Sequence, residues 1–304
     1  MNIVFHFDGS SALRARLASM GVELCPESDV AAFARLLPEV EVLWHVLKPV
    51  TADVIARAPK LRLVHKIGSG VNTIDVEACK ARGIAVCNLP GTNSRAVAEM
   101  TLLLMLACLR RIRELDAAVR KPGGWLQAWN LQDHFGELGG RTVGLVGYGA
   151  VPKILQPILE AMGCTVLYWS RSAHRDKKCA DLETVLSQSD IVSLHIPLTP
   201  ETTGRIDPRR LKQGAILINT ARGGLVNEAG LLEALRSGHL RAAGLDVFGE
   251  EPVNPAHPLL ALPNVIASPH LAWLTPETIE RSLGLALQNA RRLEAGQALE
   301  NRVA

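Results

Sequence analysis

Short apolar runs rich in β-branched residues alternate with longer segments of helical period along almost the whole 304-residue chain. The runs at 2–7, 42–45, 61–66, 84–88, 142–146, 165–169, 191–195, 215–219, 242–247 and 265–267 predict strands. Between them, 11–20, 52–57, 75–82, 227–237 and 275–295 predict helices, with a longer helix over 96–119. A parallel strand pair needs a long crossover, and a helix supplies it, so the alternation predicts an α/β fold with helices on both faces of parallel sheets. Val143, Leu145, Val146, Ile216, Leu217 and Ile218 leave no polar face on their strands, as a sheet covered on both sides requires.

The length suggests about two domains. The helix over 96–119 is apolar almost all round at first and then charged, and is expected to cross between them before Pro122-Gly123-Gly124 stops it. The stretch 125–140, with Trp125, Trp129 and Phe135, has no clear period and reads as a loop or arm. Thr275, Pro276 and Glu277 start the last helix and Gly296 ends it.

Hydrophobic residues make up 48% and charged residues 21%, which excludes collagen-like and disordered classes. The net charge is only +3 and no basic block stands out, so no nucleic-acid partner is expected. The most apolar segment, 100–109, is half the length a membrane span needs, and the start lacks the pattern of a secretory leader; no membrane partner is expected. Cys25, Cys79, Cys87, Cys108, Cys164 and Cys179 form no CxxC and no metal-ligand spacing. They read as reduced thiols of a cytoplasmic protein, with no metal site.

After the strand at 142–146 comes Gly147-Tyr148-Gly149-Ala150-Val151-Pro152, then a helical run over 153–162. Gly147 permits a tight turn, Gly149 lets a pyrophosphate approach the backbone, and the helix start offers unpaired N–H groups. Pro152 stands where such turns carry a third glycine, a departure that the first turn of a helix tolerates. A plain strand–turn–helix is the other reading, and the context favours dinucleotide binding. The following strand ends in Ser170-Arg171-Ser172, with Arg175 beyond and no Asp or Glu from 161 to 175. A carboxylate there would bind the ribose of NAD; a hydroxyl and a guanidinium suit a 2′-phosphate and point to NADP. The other roles open to Arg171 are to lie on the adenine or to face solvent.

With these segments in hand the chain resembles the D-isomer-specific 2-hydroxyacid dehydrogenase family over nearly its whole length. The resemblance is carried by 68–75, 88–91, 96–99, 144–149, 189–199, 219–224, 244–248 with Glu251-Pro252, and Ser268-Pro269-His270. It implies a Rossmann-like coenzyme domain over 96–274 and a flavodoxin-like, discontinuous substrate domain over 1–95 and 275–304, with the active site between them. It also implies a homodimer, paired through the coenzyme domain.

Three residues match the family's catalytic positions: Arg222, Glu251 and His270. Reduction of a 2-keto acid needs a proton for the developing alkoxide, and an imidazole titrating near neutrality can give it. A carboxylate beside it orients the ring and stabilises the imidazolium, and a guanidinium binds the substrate carboxylate in a fork. The turn at Ser69, Gly70 and Val71 would present backbone N–H groups to the same carboxylate, so these residues join Arg222 and His270 as the implied substrate contacts. The implied coenzyme contacts are Val97, Gly147, Tyr148, Gly149, Ala150, Val151, Ser170, Arg171, Ser172, His195, Pro197, Thr202, Thr220, Ala221, Arg222 and Asp246, the last toward the nicotinamide carboxamide. For His195, packing is the other reading. Asn72 stands where the family often has Asp. His6, His45, His65, His134, His174, His239 and His257 carry no motif and read as structural or solvated.

The resulting expectation is an NAD(P)-dependent oxidoreductase of small 2-keto and D-2-hydroxy acids, glyoxylate or hydroxypyruvate first, because Trp273 three residues past His270 favours small substrates. A short unregulated phosphoglycerate dehydrogenase, a phosphite dehydrogenase, and a non-catalytic nucleotide sensor on the same fold are the alternatives. Glu251, where a formate dehydrogenase would carry Gln, argues against that activity.

Overall fold

The computed structural model describes residues 1–171 and 178–304, and the chain divides into two compact units, Met1–Asn93 with Thr275–Ala304, and Ser94–Leu274.

In the first unit β1 (Ile3–His6), β2 (Val22–Cys25), β3 (Val42–His45), β4 (Leu63–Lys66) and β5 (Ala85–Cys87) form an all-parallel sheet of order β2-β1-β3-β4-β5. The crossovers are α1 (Ser11–Ser19), α2 (Val30–Leu36), α3 (Ala52–Ala56) and α4 (Val76–Ala81). Ser10, Asp29, Thr51 and Asp75 start them, each side chain accepting a first-turn amide that the helix itself cannot pair. Val4, Leu43, Val64 and Val86 bury one sheet face against Leu37, Ile55 and Cys79. The C-terminal helix Pro276–Glu294 is capped by Thr275 and ends at Gly296, whose φ of +66° suits a residue without a Cβ. The tail beyond it returns to β5, where Val86 N–H donates to Ala304 O at 2.9 Å. β2 and α2 were not foreseen: the strand is four residues long, and only its pairing with β1 distinguishes it from a loop.

The second unit opens with α5 (Ser94–Arg110), α6 (Ile112–Val119) and α7 (Gly124–Gln127). The single helix expected over 96–119 is broken at Arg111, which takes a left-handed φ of +50° while its guanidinium grips Glu114 through two 2.8 Å bonds. No Gly or Pro announces that break, and both pieces lie inside this unit. The expected loop at 125–140 is helical from 125 to 134, continuing from α7 into a 3₁₀ segment, Ala128–His134.

There follow β6 (Thr142–Val146), α8 (Ala150–Ala161), β7 (Thr165–Trp169), α9 (Leu182–Gln188), β8 (Ile191–Leu194), β9 (Ala215–Asn219), α10 (Glu228–Arg236), β10 (Leu240–Leu245) and β11 (Val265–Ala267). The sheet is parallel throughout, of order β11-β10-β9-β8-β6-β7. Leu104, Met105, Leu155 and Leu159 pack under one face and Val185, Leu186, Leu231 and Leu235 over the other. Such two-sided burial accounts for the apolar strands. α8 begins at Ala150, three residues before the predicted run, with Pro152 buried in its first turn. β10 lies two residues earlier than predicted, because its ladder with β9 starts at Leu240, and 246–247 pass into the turn beyond the sheet.

Candidate active site

The order of the second sheet reverses between β6 and β8, and ligands of open α/β sheets gather at the carboxyl ends of strands beside such a switch. The turn leaving β6 lies there. Gly147 holds φ at +105°, and a Cβ on it would meet His195 O at 2.6 Å, so no other residue fits. Gly149 caps α8, and a Cβ there would meet nothing within 4 Å; the bare backbone faces open space. Among the described residues no acceptor meets the amides of Ala150 and Val151, and Pro152 has none to offer. Two free amides at a helix start beside an open glycine turn suit an anion such as a pyrophosphate. The Tyr148 ring is stacked on Tyr168 at 3.8 Å.

Other implied coenzyme contacts serve partly to shape the site. Thr202 Oγ1 accepts from the Thr199 amide at 2.7 Å and donates to Pro197 O at 2.8 Å, bracing that turn. Thr220 shares a hydrogen bond with Thr101, whose own hydroxyl donates to Val97 O. Ala221 N–H is held by Asn219 Oδ1 at 3.0 Å. His195 meets Ser193 Oγ at 2.9 Å, and close packing pushes its imidazole down to about 3, so it stays neutral. Ser170 is half-buried and Arg171 exposed where β7 ends; Ser172, His174 and Arg175 lie outside the described residues.

Arg222, Glu251 and His270 follow three adjacent strands, β9, β10 and β11. His270 Nδ1 and Glu251 Oε2 are 2.6 Å apart, and Glu251 Oε1 accepts from the Phe248 amide at 2.9 Å. Burial alone would raise the Glu251 carboxyl. The His270 and Phe248 hydrogen bonds, with the charges of His270 and Arg222, outweigh it and hold the group below its ordinary value. Burial lowers the Arg222 guanidinium and Glu251 opposes that, which shows the two share one field. Arg222 Nη1 donates to Ala221 O at 2.6 Å, and Asn219 Nδ2 to Arg222 O at 2.9 Å, so the backbone carrying the guanidinium is pinned. The Nε2 of His270 meets no partner among the described residues and is the nitrogen available to a substrate.

His270 occupies a left-handed conformation, φ +56°, costly for a residue with a Cβ. Asp246 holds it there. Its carboxylate takes Ser268 Oγ at 2.6 Å and the Leu271 and Ala272 amides at 3.0 and 2.9 Å, while its own carbonyl accepts the His270 amide at 2.8 Å. Burial raises the Asp246 carboxyl, against the pull of those three donors. The resemblance had assigned Asp246 to the nicotinamide; its grip on the His270 loop, and the part of Ser268 in it, carry no local sequence signal. Trp273, three residues on, is buried, only 7% exposed.

In the first unit, Gly68 (φ +144°) turns the chain after β4. Asn88 Nδ2 donates to Ser69 O at 2.7 Å and the Leu89 amide to Gly68 O at 2.8 Å. The carbonyls are thus occupied, and the amides of Ser69, Gly70 and Val71 meet no acceptor among the described residues. His45 and His65 are buried, and His6 is stacked on Phe33 at 3.7 Å. All six cysteines are free.

Residues 102–272 match the family described as "D-isomer specific 2-hydroxyacid dehydrogenase, NAD binding domain". A glyoxylate reductase of Aeropyrum pernix is 39% identical over 278 residues, 87% of this chain and 83% of that one. A D-3-phosphoglycerate dehydrogenase of Mycobacterium leprae is also 39% identical, over 88% of this chain but only 52% of its own length. A solved structure from Thermus thermophilus superposes with a TM-score of 0.88 at 36% identity, over 100% of both chains. With its glycine turn after β6, its three aligned strand ends and these relatives, the chain belongs to the D-isomer-specific 2-hydroxyacid dehydrogenases, NAD(P)-dependent enzymes acting on CH–OH groups.

Proposed function

We propose that the chain reduces glyoxylate or hydroxypyruvate to the corresponding 2-hydroxy acid, with NADPH as the preferred coenzyme. The observation that carries the chemistry is the 2.6 Å pair of His270 Nδ1 and Glu251 Oε2. It leaves Nε2 to deliver a proton to the carbonyl oxygen in reduction and to take it back in oxidation. Glu251 holds the ring; Arg222 takes the substrate carboxylate and stabilises the negative oxygen as it develops. The free amides of Ser69, Gly70 and Val71 form a nest suited to a carboxylate. When bound, the nicotinamide supplies the hydride. The second unit is accordingly the coenzyme domain and the first the substrate domain.

The preference for a small substrate is supported by the buried indole of Trp273 so near His270. The preference for NADPH is supported by Ser170 and Arg171 at the end of β7, where no carboxylate stands. We further infer a homodimer, and a cytoplasmic location supported by six free thiols.

Loss of reduced-coenzyme absorbance, with NADPH and NADH in turn, against glyoxylate, hydroxypyruvate, pyruvate and 3-phosphohydroxypyruvate tests the reading. The highest kcat/KM is expected for one of the first two with NADPH. A clear preference for the phosphorylated acid would move the assignment to phosphoglycerate oxidation, and no turnover with any acid would defeat it.

A further inference from the structure

A second histidine–carboxylate pair lies behind His270 and Glu251. Glu228, the first residue of α10, meets His257 Nε2 through Oε1 at 2.6 Å. His257 opens the 3₁₀ turn Pro258–Ala261, and its Nδ1 accepts the Leu259 amide at 3.3 Å. The proton therefore sits on Nε2 and points at Glu228. The other oxygen of Glu228 accepts the Gly249 amide at 3.3 Å. A carboxylate in the first turn of a helix is ordinarily read as complementing the helix dipole. Here Asn227 already caps α10 through the Gly230 amide, and both oxygens of Glu228 are spent outside the helix.

The Phe248–Gly249 turn is where these contacts converge. The Phe248 amide donates to Glu251 Oε1, and its ring stands edge-on to His257 at 6.0 Å. Gly223, the neighbour of Arg222, packs on the same turn so closely that a Cβ would lie 1.9 Å from the Phe248 carbonyl carbon. One turn thus touches the support of Arg222, the donor to Glu251, and the Glu228–His257 pair.

We propose that Glu228 and His257 are positioning residues: they clamp the Phe248–Gly249 turn and through it hold Glu251 against His270 and in register with Arg222. The proposal rests on the acid–base reading of Glu251 given above. A loosened clamp lets the reacting groups drift, and a misplacement of about 1 Å is enough to slow chemistry.

The test is a double-mutant cycle in the full chain, reading kcat, KM, coenzyme affinity by nicotinamide fluorescence, and Tm. Glu228→Ala is expected to lower kcat about tenfold with coenzyme affinity unchanged. In a Glu251→Gln background the same change should cost little more, since Glu228 acts through a group already lost. His257→Gln, which keeps an N–H for Glu228, should retain most of the kcat that His257→Ala loses. This comparison decides the matter if Glu228→Ala proves poorly folded. Losses that multiply independently in the double variant, equal kcat in the two His257 variants, or wild-type kcat in Glu228→Ala would overturn the clamp. Wild-type kcat in Glu251→Gln alone would instead remove the acid–base reading, and the clamp with it.

Discussion

In the proposed reaction the His270 imidazole moves the proton, and the contacts of His270 among the described residues are with Glu251 and the Asp246 carbonyl, not with the glycine turn after β6. His270→Ala is therefore expected to lose two or more orders of magnitude in kcat, about 3 kcal/mol or more of transition-state stabilisation, while coenzyme affinity measured by fluorescence stays near wild type. A kcat close to wild type would refute the assignment. Arg171 tests a different contact. It is exposed, and its charge already acts on Glu201, lowering that carboxyl behind the larger effects of hydrogen bonds at Thr199 and at Glu201's own backbone. A charge-assisted contact to a 2′-phosphate is worth about 1.5–3 kcal/mol, so Arg171→Ala should raise KM for NADPH about tenfold or more and leave KM for NADH nearly alone. Equal effects on both coenzymes would place Arg171 on the adenine or in solvent. Arg222, Glu251 and His270 could be singled out as candidates only through the family segments in which they sit. Asp246 was legible only as a family position. What its carboxylate does depends on the folding-back of 268–272, which no neighbouring residue in the sequence announces.

Among the elements, the carboxyl ends of β1, β3 and β4 carry His6, His45 and His65, which the sequence could describe only as structural or solvated. They are structural, and their burial has a measurable consequence. Burial, with the charge of Lys48 and against that of Asp8, lowers His6 to about 4; burial lowers His65 to about 4 and His45 well below its ordinary value. Asn289 Nδ2 donates to His65 Nε2 at 3.0 Å and keeps that nitrogen unprotonated. His6 and His65 are neutral when folded and protonated when unfolded between about 4 and 6.5, and His45, lowered as well, acts in the same direction. The unfolded chain therefore binds more protons in that window, and stability falls as the pH drops through it. Each such histidine contributes a slope of about 1.4 kcal/mol per pH unit. Glu27, raised by burial, offsets part of this near its lower end. Asp190, Asp207 and Glu160 are held below the usual carboxylate range and lose their contribution only at lower pH. Urea unfolding at pH 7, 6 and 5 should show the decline, and His65→Gln should flatten it by about one histidine's share; a pH-independent midpoint would contradict it. At this scale the sequence read well wherever a cap and a period agreed, as for α1, α3, α4 and the C-terminal helix. It failed at Arg111, where the chain changes direction without a Gly or Pro.

For the molecule as a whole, the proposed homodimer makes the most direct prediction. Ile112, Val119, Trp125, Leu126 and Trp129 are exposed by half or more on α6, α7 and the 3₁₀ segment that follows. Phe135, expected with them, is half-buried. An apolar patch of that kind is ordinarily covered by a partner. Light scattering at micromolar concentration should give twice the chain mass, and Leu126→Lys with Trp129→Lys should shift it toward the monomer; a single-chain mass for the unmutated protein would exclude the pairing. The sequence by itself determined the α/β class and the glycine turn after β6, because period and glycine placement are local properties, and its family segments put forward Arg222, Glu251 and His270 as candidates at the strand ends. Only the tertiary structure decided that His270 is held left-handed by Asp246, that Glu228 and His257 meet 29 residues apart, and that the helix breaks at Arg111. The first two are outcomes of which strand lies beside which and of how turns from β9, β10 and β11 pack on one another. Contacts between residues distant in the chain leave no periodicity behind to be read.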